Sequence, residues 1–263
     1  MLSSLRFRLR MFFKYKDLLF LLVERDIKLK YRRSVLGYVW SILNPLLSML
    51  VMVIVFSNMF SRGIENYPFY LICGNILFNF MRESSTQAMN SIVYNAPLLK
   101  KVYVPKYIFT LSKVTSSFVN LLFSLGALLI VMLVTRLRFT WYDFCIVIPI
   151  AELYVFCVGL GLLLAAGNVF FRDISNIWNV VTLAWMYLTP IFYQIDAMSP
   201  ILRYWIPKIN PMYIYITQMR DFVIGGYWTW PVLIFRGALV ALLMLALGLF
   251  VFTKSKDKFI LHI

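Results

Sequence analysis

Six long apolar segments, separated by shorter polar stretches, account for most of the chain. They cover residues 36–60, 68–93, 107–134, 143–166, 174–193 and 231–252. A helix needs about 20 consecutive apolar residues to cross the hydrocarbon core of a bilayer, and each segment is close to that length. The pattern therefore predicts an all-α membrane protein with six transmembrane helices.

The composition supports this prediction and excludes other classes of protein. Of 263 residues, 62% are hydrophobic and only 14% are charged, whereas a soluble domain has roughly 45–50% apolar and about 25% charged residues. A folded chain of this size cannot hide so much apolar surface from water. Soluble single-domain enzymes and disordered chains are therefore excluded.

The distribution of Lys and Arg predicts the orientation in the membrane. With the N-terminus inside, the cytoplasmic stretches 1–36, 94–106, 167–173 and 253–263 contain 17 of these residues, and the outer stretches contain 6. Cytoplasmic loops carry the excess of positive charge in membrane proteins. Both termini are therefore expected in the cytoplasm. The net charge is +15, and the basic residues lie at the ends of apolar segments. This placement favours an interaction with the membrane surface over one with nucleic acid.

Residues 20–32 are predicted to form an amphipathic helix in the lipid headgroup layer. Apolar and basic residues follow helical spacing on neighbouring faces, with Phe20, Val23, Ile27 and Tyr31 on one and Arg25, Lys28 and Arg32 on the other. Leu21, Leu22 and Leu29 lie off the apolar stripe. The alternative is a basic flank that only sets the orientation of the chain.

The second apolar segment is polar in its later half. This half contains Asn79, Arg82, Glu83, Ser84, Ser85, Thr86, Gln87 and Asn90. Ionisable groups at bilayer depth are costly and normally face protein or a watery cavity. Three interpretations are open: these residues line a pore, they pack against another helix, or the span ends early and 82–93 is cytoplasmic.

Two loops have unusual patterns. In 94–106, Pro97 suits a first helical turn and Pro105 stops the helix. A short helix between them would carry its leucines on one side and its lysines on the other, and would either dock into a partner or form a surface turn.

The second unusual loop, 194–230, is broken by prolines into apolar pieces of about 198–206 and 211–224. These pieces are too short to cross the bilayer, which favours re-entrant or interfacial segments. The loop is also rich in aromatic residues, which form either an interfacial belt or the lining of a path for sugars.

The residue patterns that disulfides, zinc sites and ATP-binding loops require do not occur in this sequence. The three cysteines have no paired spacing, and His262 is the single histidine, so neither a disulfide framework nor a zinc site is expected. No GxxxxGK[ST] sequence occurs, and this chain is therefore not expected to bind ATP in a phosphate-binding loop.

Four stretches, in order along the chain, resemble one family of membrane proteins. They are 25–28 (RDIK) with Tyr31, Leu36, Gly37, Trp40 and Pro45; 98–105 (LLKKVYVP); 168–173 (NVFFRD); and 189–193 (TPIFY) followed by Asn210 and Pro211. With these stretches the chain resembles the membrane subunit, or permease, of type-2 ATP-binding cassette (ABC) exporters. Within that family it resembles the branch that exports O-antigen, capsule and teichoic-acid-like polymers.

The resemblance implies a homodimer in the bacterial cytoplasmic membrane, bound to two copies of a separate P-loop ATPase. ATP and Mg²⁺ would lie on the ATPase, with no cofactor or metal on this chain, and the substrate would be a polysaccharide linked to polyprenyl diphosphate. Residues 1–35 would form the cytoplasmic interfacial region, 36–253 the transmembrane domain and 254–263 a basic cytoplasmic tail. Outer gate helices would lie between spans 5 and 6, within 195–226.

The resemblance and the residue patterns together assign candidate site residues. The ATPase-coupling helix would comprise Asn95, Ala96, Pro97, Leu98, Leu99, Lys100, Lys101, Val102 and Tyr103, with the two leucines as anchors. The lipid diphosphate would be gathered by Arg25, Lys28, Tyr31, Arg32 and Arg33. The gate and channel aromatics would be Tyr193, Tyr204, Trp205, Tyr213 and Tyr215.

A buried ion pair is also predicted, between Glu152 and Arg236. Their depths in the fourth and sixth spans differ by roughly 6 Å at about 1.5 Å of rise per residue, and pairing would lower the cost of two charges in the membrane. Arg82 is the competing partner for Glu152, and Arg236 could instead reach the outer surface.

Three rival functions remain open at this point. An ion-coupled secondary transporter would use Glu83 and Glu152 as titratable groups, although no internal repeat relates the two halves of the chain. A membrane glycosyltransferase would need clustered acidic residues, and those of the outer loops lie far apart. A type-2 ABC exporter of a lipid or drug is the third.

Overall fold

The computed structural model describes residues 14–32, 34–60, 64, 66–101 and 104–259, and these form helices joined by short turns. The α-helices are α1 (Lys16–Tyr31), α2 (Trp40–Phe60), α3 (Tyr67–Tyr94), α4 (Ala96–Leu99), α5 (Tyr107–Val134), α6 (Val147–Phe170), α7 (Ile174–Leu188), α8 (Pro200–Ile209), α9 (Pro211–Arg220) and α10 (Pro231–Ser255). The prediction of an all-helical chain is confirmed.

Four stretches of the described chain are long and apolar enough to cross a membrane. They are Gly37–Ser57, which covers most of α2, and Tyr107–Val134, Trp141–Phe170 and Pro231–Lys258, which contain α5, α6 and α10. The other two predicted spans differ from them for physical reasons. Helix α3 is 28 residues long, but its second half is polar. Helix α7 has 15 residues, which corresponds to about 22 Å.

Helix α3 lies at the centre of the bundle. It packs against α2, α5, α6, α7 and α9, and its first half consists largely of apolar residues that are fully buried, such as Phe69, Leu71 and Ile72. A second apolar cluster joins α1, α4, the start of α5 and the end of α10, and it includes Leu22 and Phe259.

Helices α6 and α10 approach each other closely because glycines face each other across the contact. A Cβ atom added to Gly248 would lie 2.0 Å from the carbonyl oxygen of Gly159, and one added to Gly159 would lie 2.4 Å from the backbone nitrogen of Leu245. Small residues at such points let two helix backbones touch, which is a common way of packing helices in membranes.

A helix is present at the predicted position as α1, and its buried face shares Val23 with the predicted apolar stripe. Leu19, Leu22 and Val23 are buried where α1 packs against α5, and Phe20 is 66% exposed. Helix α1 therefore packs its leucines on a neighbouring helix, and its position in the headgroup layer stays a prediction. The side chain of Tyr31, at the end of the predicted stripe, lies outside the described part of the chain.

Candidate functional site

A cavity of about 580 Å³ lies among α2, α3 and α5, beside the C-terminal end of α1. Most of the polar residues that line it carry amide or hydroxyl groups: Ser41, Asn44, Ser48, Asn79, Thr86, Gln87, Ser117, Asn120, Ser124 and Asn179. The ionisable residues in its lining are Lys30, Arg82 and Glu83. The cavity is therefore a polar compartment inside a bundle of mostly apolar helices, which is where ionisable groups at membrane depth are expected.

Helix α3 provides one wall of this cavity because its polar residues repeat at intervals of three and four. Asn79, Glu83 and Gln87 follow this spacing, so they share one face of the helix. Away from the cavity, buried Ser85 accepts a hydrogen bond of 3.1 Å from the indole nitrogen of Trp178 on α7. The polar half of α3 thus both lines a cavity and packs against helices. The third interpretation concerns where α3 leaves the membrane and stays a prediction, since the helix itself continues without a break to Tyr94.

Glu83 is held by three donors from three helices. Lys30 Nζ of α1 lies 2.7 Å from Oε1, Gln87 Nε2 of α3 at 2.9 Å, and Asn120 Nδ2 of α5 at 3.2 Å. The ion pair with Lys30 ties the first helix to the wall of the cavity. Glu83 is therefore committed to an existing network of hydrogen bonds.

Arg82 has a different environment from its neighbour Glu83. Its Nη2 donates a hydrogen bond of 3.1 Å to Asn79 Oδ1 on the same helix, and the side chain is exposed. None of the ion pairs found among the described residues includes Arg82. Its guanidinium group is therefore a cation in the cavity wall whose charge is not neutralised by a described carboxylate.

Two of the cations that were predicted to gather the lipid diphosphate already have carboxylate partners on their own helix. Arg25 pairs with Asp26 at 3.0 Å and Lys28 pairs with Glu24 at 2.5 Å, both within α1. Arg32 is exposed just after the helix, and Arg33 lies outside the described residues. The residue of α1 that does reach the cavity, Lys30, was not singled out from the sequence, because its partner lies 53 residues further along the chain.

The predicted coupling segment contains a helix of only four residues, α4. Leu98 is 40% exposed, whereas Leu99 is 7% exposed and belongs to the chain's own apolar cluster. The prediction that both leucines face a partner is therefore wrong for Leu99. Lys100 and Lys101 are exposed, as are Pro97 and Leu98, while Asn95 and Ala96 are half-buried. Val102 and Tyr103 lie outside the described residues.

Helices α8 and α9 occupy the segment that was predicted to be re-entrant. Each has ten residues, about 15 Å of helix, which is too short to cross a bilayer. A π-helical turn, Asp221–Gly225, follows α9. Burial raises the pKa of Asp221, although hydrogen bonds donated by Thr229 and Tyr227 act in the opposite direction.

The five aromatic residues that were predicted to line a channel lie in different environments. Tyr204 and Trp205 are exposed on α8 with ring centroids 5.3 Å apart. Tyr193 donates a hydrogen bond to the carbonyl of Tyr187, and Tyr213 is half-buried. Tyr215 is fully buried and donates to the carbonyl of Gly237 at 3.2 Å. The assignment of Tyr215 to an open path is therefore wrong, because its ring is part of the core.

The non-helical segment after α7 has its carbonyl groups paired by side chains from other helices. Arg220 Nη1 donates to the carbonyl of Pro190 at 2.8 Å, and its Nη2 donates to those of Tyr70 at 3.0 Å and Ile191 at 3.2 Å. Two tyrosine hydroxyl groups from the start of α3 donate hydrogen bonds to the same segment. Tyr67 donates to the carbonyl of Phe192 and Tyr70 to that of Tyr193, both at 2.9 Å. Non-helical backbone at membrane depth requires such internal pairing.

Arg220 was not recognised as important in the sequence. It is half-buried, and its guanidinium carbon lies 3.3 Å from the centroid of the Tyr70 ring. The hydrogen bonds of Arg220 fasten the end of α9 to the start of α3 and to the segment after α7. Only the packing of distant helices shows this role, because residue 220 is 150 positions from residue 70.

The predicted ion pair between Glu152 and Arg236 is wrong. Glu152 Oε2 accepts a hydrogen bond of 2.9 Å from Gln218 Nε2, so the competing partner Arg82 is not used either. Arg236 Nη2 donates to the backbone carbonyls of Pro207 at 2.8 Å and Lys208 at 3.3 Å. The reason is the rotation of α10: Gly237 faces Glu152, and successive residues of a helix are turned by about 100°. Arg236 is thereby directed to the end of α8.

The chain was then compared with known proteins. Residues 17–224 match a protein family described as ABC-2 type transporter, which is well over half of the 263 residues. The chain belongs to this ABC-2 transporter membrane family. The match starts in the first turn of α1 and ends in the π-helical turn after α9, and all residues that line the polar cavity of this ABC-2 chain fall within it.

Three relatives show which members of the ABC-2 family this chain is similar to. It is 29% identical over 248 residues to the O-antigen export system permease protein RfbA of Klebsiella pneumoniae, covering 92% of this chain and 93% of the relative. It is 30% identical to RfbA of Myxococcus xanthus, over 80% of this chain and 82% of the relative. It is 26% identical to the capsule polysaccharide export inner-membrane protein CtrC of Neisseria meningitidis, over 75% of each chain.

Proposed function

We propose that this chain is the transmembrane subunit of an ATP-driven exporter that moves lipid-linked polysaccharide across the bacterial cytoplasmic membrane. The observation that carries the proposal is the cavity of about 580 Å³ lined by amide and hydroxyl side chains within an ABC-2 family fold. Sugars present many hydroxyl groups, and side-chain amides and hydroxyls both donate and accept hydrogen bonds. Relatives named for O-antigen and capsule polysaccharide export cover most of this chain, which supports the same class of substrate.

The proposed topology has six spans, α2, α3, α5, α6, α7 and α10, with both termini in the cytoplasm. The excess of Lys and Arg in the stretches that would be cytoplasmic supports the orientation. The paired carbonyls of residues 190–193 support continuation of the fifth span beyond the end of α7. Helices α8 and α9 would then form the outer gate. Residues 1–35 would form the interfacial region and 254–263 the basic tail, on either side of a transmembrane domain at 36–253.

The proposed partners are a second copy of this chain and two copies of an ATPase, which would bind ATP and Mg²⁺. Helix α2 exposes Leu50 and Ile54, and α7 exposes Val180 and Leu183. These apolar residues suit either lipid or a second subunit. Light scattering of the purified protein, corrected for detergent, tests for the dimer: a mass of one chain would contradict this part of the proposal.

The coupling segment is proposed to bind the ATPase through Leu98, with Lys100 and Lys101 at the rim of the contact. Leu98 is exposed and apolar, and buried apolar anchors dominate the energy of protein interfaces. Arg25 and Lys28 of α1, together with exposed Arg32 just after it, are proposed as the first contact of the lipid diphosphate at the membrane surface.

A transport assay tests the function directly. The chain and the ATPase that co-purifies with it are reconstituted into vesicles, with a polyprenyl-linked glycan in the outer leaflet and ATP outside. We expect ATP-dependent protection of the glycan from an externally added glycosidase. The matched control is an ATPase variant that binds ATP without hydrolysing it. Transport that a pH gradient drives without the ATPase would replace this proposal with the ion-coupled transporter.

A further inference from the structure

The polar cavity carries a charge imbalance that its own residues do not neutralise. Its lining contains two cations, Lys30 and Arg82, and one carboxylate, Glu83. Lys30 already forms an ion pair with Glu83 at 2.7 Å. The remaining cation is Arg82, and its described hydrogen bond is to the neutral amide of Asn79.

The nearby carboxylates are already committed to other groups. Glu83 accepts hydrogen bonds from Gln87 and Asn120 in addition to its ion pair. Asp26, which lines an adjoining pocket, pairs with Lys113 at 2.8 Å and with Arg25 at 3.0 Å. Turning either carboxylate toward Arg82 would break interactions that join α1 to α3 or to α5. Arg82, which is exposed in the cavity wall, is therefore accessible to an anion from outside the chain.

The form of the cavity indicates what kind of anion would fit. A guanidinium group binds carboxylate or phosphate through two parallel hydrogen bonds. Around it, amide and hydroxyl side chains such as Asn44, Asn79 and Ser48 suit a molecule with many hydroxyl groups. A volume of about 580 Å³ lies within the usual range of ligand pockets.

We propose that Arg82 binds an oxyanion, a phosphate or a carboxylate, that is carried by the exported glycan or by its lipid. The asparagines and serines of the cavity bind the neighbouring sugar hydroxyls. This inference rests on the proposed function and deepens it by naming the residue that recognises the charged part of the substrate. It places that recognition inside the bundle, on α3, in addition to the surface of α1.

A binding assay with purified permease–ATPase complex tests the proposal without requiring transport. A scintillation proximity assay measures the affinity for two tritiated probes: polyprenyl diphosphate, which supplies phosphate, and hexagalacturonate, which supplies carboxylates. The variants are Arg82→Gln, which removes the charge, and Arg82→Lys, which keeps the charge but loses the fork. Arg138→Gln is the matched control, because Arg138 is exposed in the loop between α5 and α6 and does not line the cavity.

We expect Arg82→Gln to weaken binding of at least one probe by roughly 10- to 100-fold, the range for hydrogen bonds to charged groups. Arg82→Lys should recover part of the loss, and Arg138→Gln should change affinity by less than about twofold. A loss for polyprenyl diphosphate alone identifies phosphate as the ligand group, and a loss for hexagalacturonate alone identifies carboxylate. Each of these results supports the proposal.

Three results would overturn it. The first is native affinity of Arg82→Gln for both probes. The second is an equal loss of probe affinity in Arg138→Gln. The third is an equal loss of phosphatidylglycerol affinity in Arg82→Gln. Either of these two results indicates a general attraction of anions. Unchanged thermal unfolding and ATPase co-purification of Arg82→Gln ensure that a loss is not misfolding. If the native complex exports glycan but Arg82→Gln binds normally, this inference fails and the proposed function stands. If the native chain binds no ATPase, the proposed function itself fails.

Discussion

The contact between α6 and α10 allows a quantitative prediction about a single added methyl group. In Gly248→Ala, the new Cβ would lie 2.0 Å from the carbonyl oxygen of Gly159 and 2.8 Å from its carbonyl carbon. Protein Cβ atoms essentially never approach other heavy atoms closer than 3.0 Å. The helices must therefore move apart by about 1 Å at this point, because the obstacle is backbone and cannot rotate away.

The expected cost follows from two opposing effects. Overpacking a well-packed contact destabilises by about 1–3 kcal/mol, and the rigid neighbour favours the upper end of that range. Replacing Gly by Ala within a helix stabilises by about 1 kcal/mol. The net effect of Gly248→Ala is a loss of about 2 kcal/mol in the free energy of unfolding, which corresponds to a decrease in Tm of roughly 4–8 °C for a chain of this length.

The assay is thermal unfolding of the purified chain in detergent, followed by tryptophan fluorescence. Gly126→Ala is the matched control: its new Cβ would lie 3.4 Å from Cδ1 of Ile42, an ordinary contact with a flexible side chain. We expect Gly126→Ala to unfold at the native temperature or slightly above it. If Gly248→Ala and Gly126→Ala unfold at the same temperature, α6 and α10 do not touch at Gly159 and Gly248.

Three further predictions concern the coupling segment, the buried polar groups and the outer segment. Leu98→Asp should abolish co-purification of the ATPase without changing Tm, and Leu99→Asp should lower Tm because Leu99 is buried; the reverse pattern would show that α4 is rotated. The destabilisations of Glu152→Gln and Arg236→Gln should add within about 0.5 kcal/mol in a double-mutant cycle of unfolding, since the two residues have separate partners. A coupling energy above about 1 kcal/mol would show that they form an ion pair after all. Arg220→Met should lower the free energy of unfolding by several kcal/mol, since each carbonyl left unpaired in the interior costs about 1–3 kcal/mol, and a native Tm would refute its role in fastening α9.

The sequence was sufficient to predict the helical class and the short helices α8 and α9, because these depend on local properties. The lengths of apolar runs and the positions of prolines determine where helices can continue. Family membership followed from short stretches of sequence in a fixed order. The polar half of α3 was also recognisable, since Arg82 and Glu83 stand out in an otherwise apolar segment.

The predictions that failed depend on how helices are rotated about their axes. The depths of Glu152 and Arg236 could be estimated from rise per residue, but the direction of Arg236 depends on Gly237 packing against α6. The cavity itself could not be foreseen, because Asn44, Asn120 and Asn179 come from three helices. No periodicity in the sequence links such residues, and only tertiary packing brings them together.

The network around Glu83 has a consequence for how the chain enters the membrane during synthesis. On insertion scales, a charged residue near the middle of a lone helix costs about 2.5–3.5 kcal/mol, and α3 carries both Arg82 and Glu83. One donor to Glu83, Lys30, is synthesised before α3, but Asn120 follows 37 residues later. Helix α3 therefore gains its full set of polar partners only when α5 emerges. In the proposed six-span topology, this order of synthesis predicts that α3 is retained beside the translocon until then and that α3 and α5 are released into lipid together.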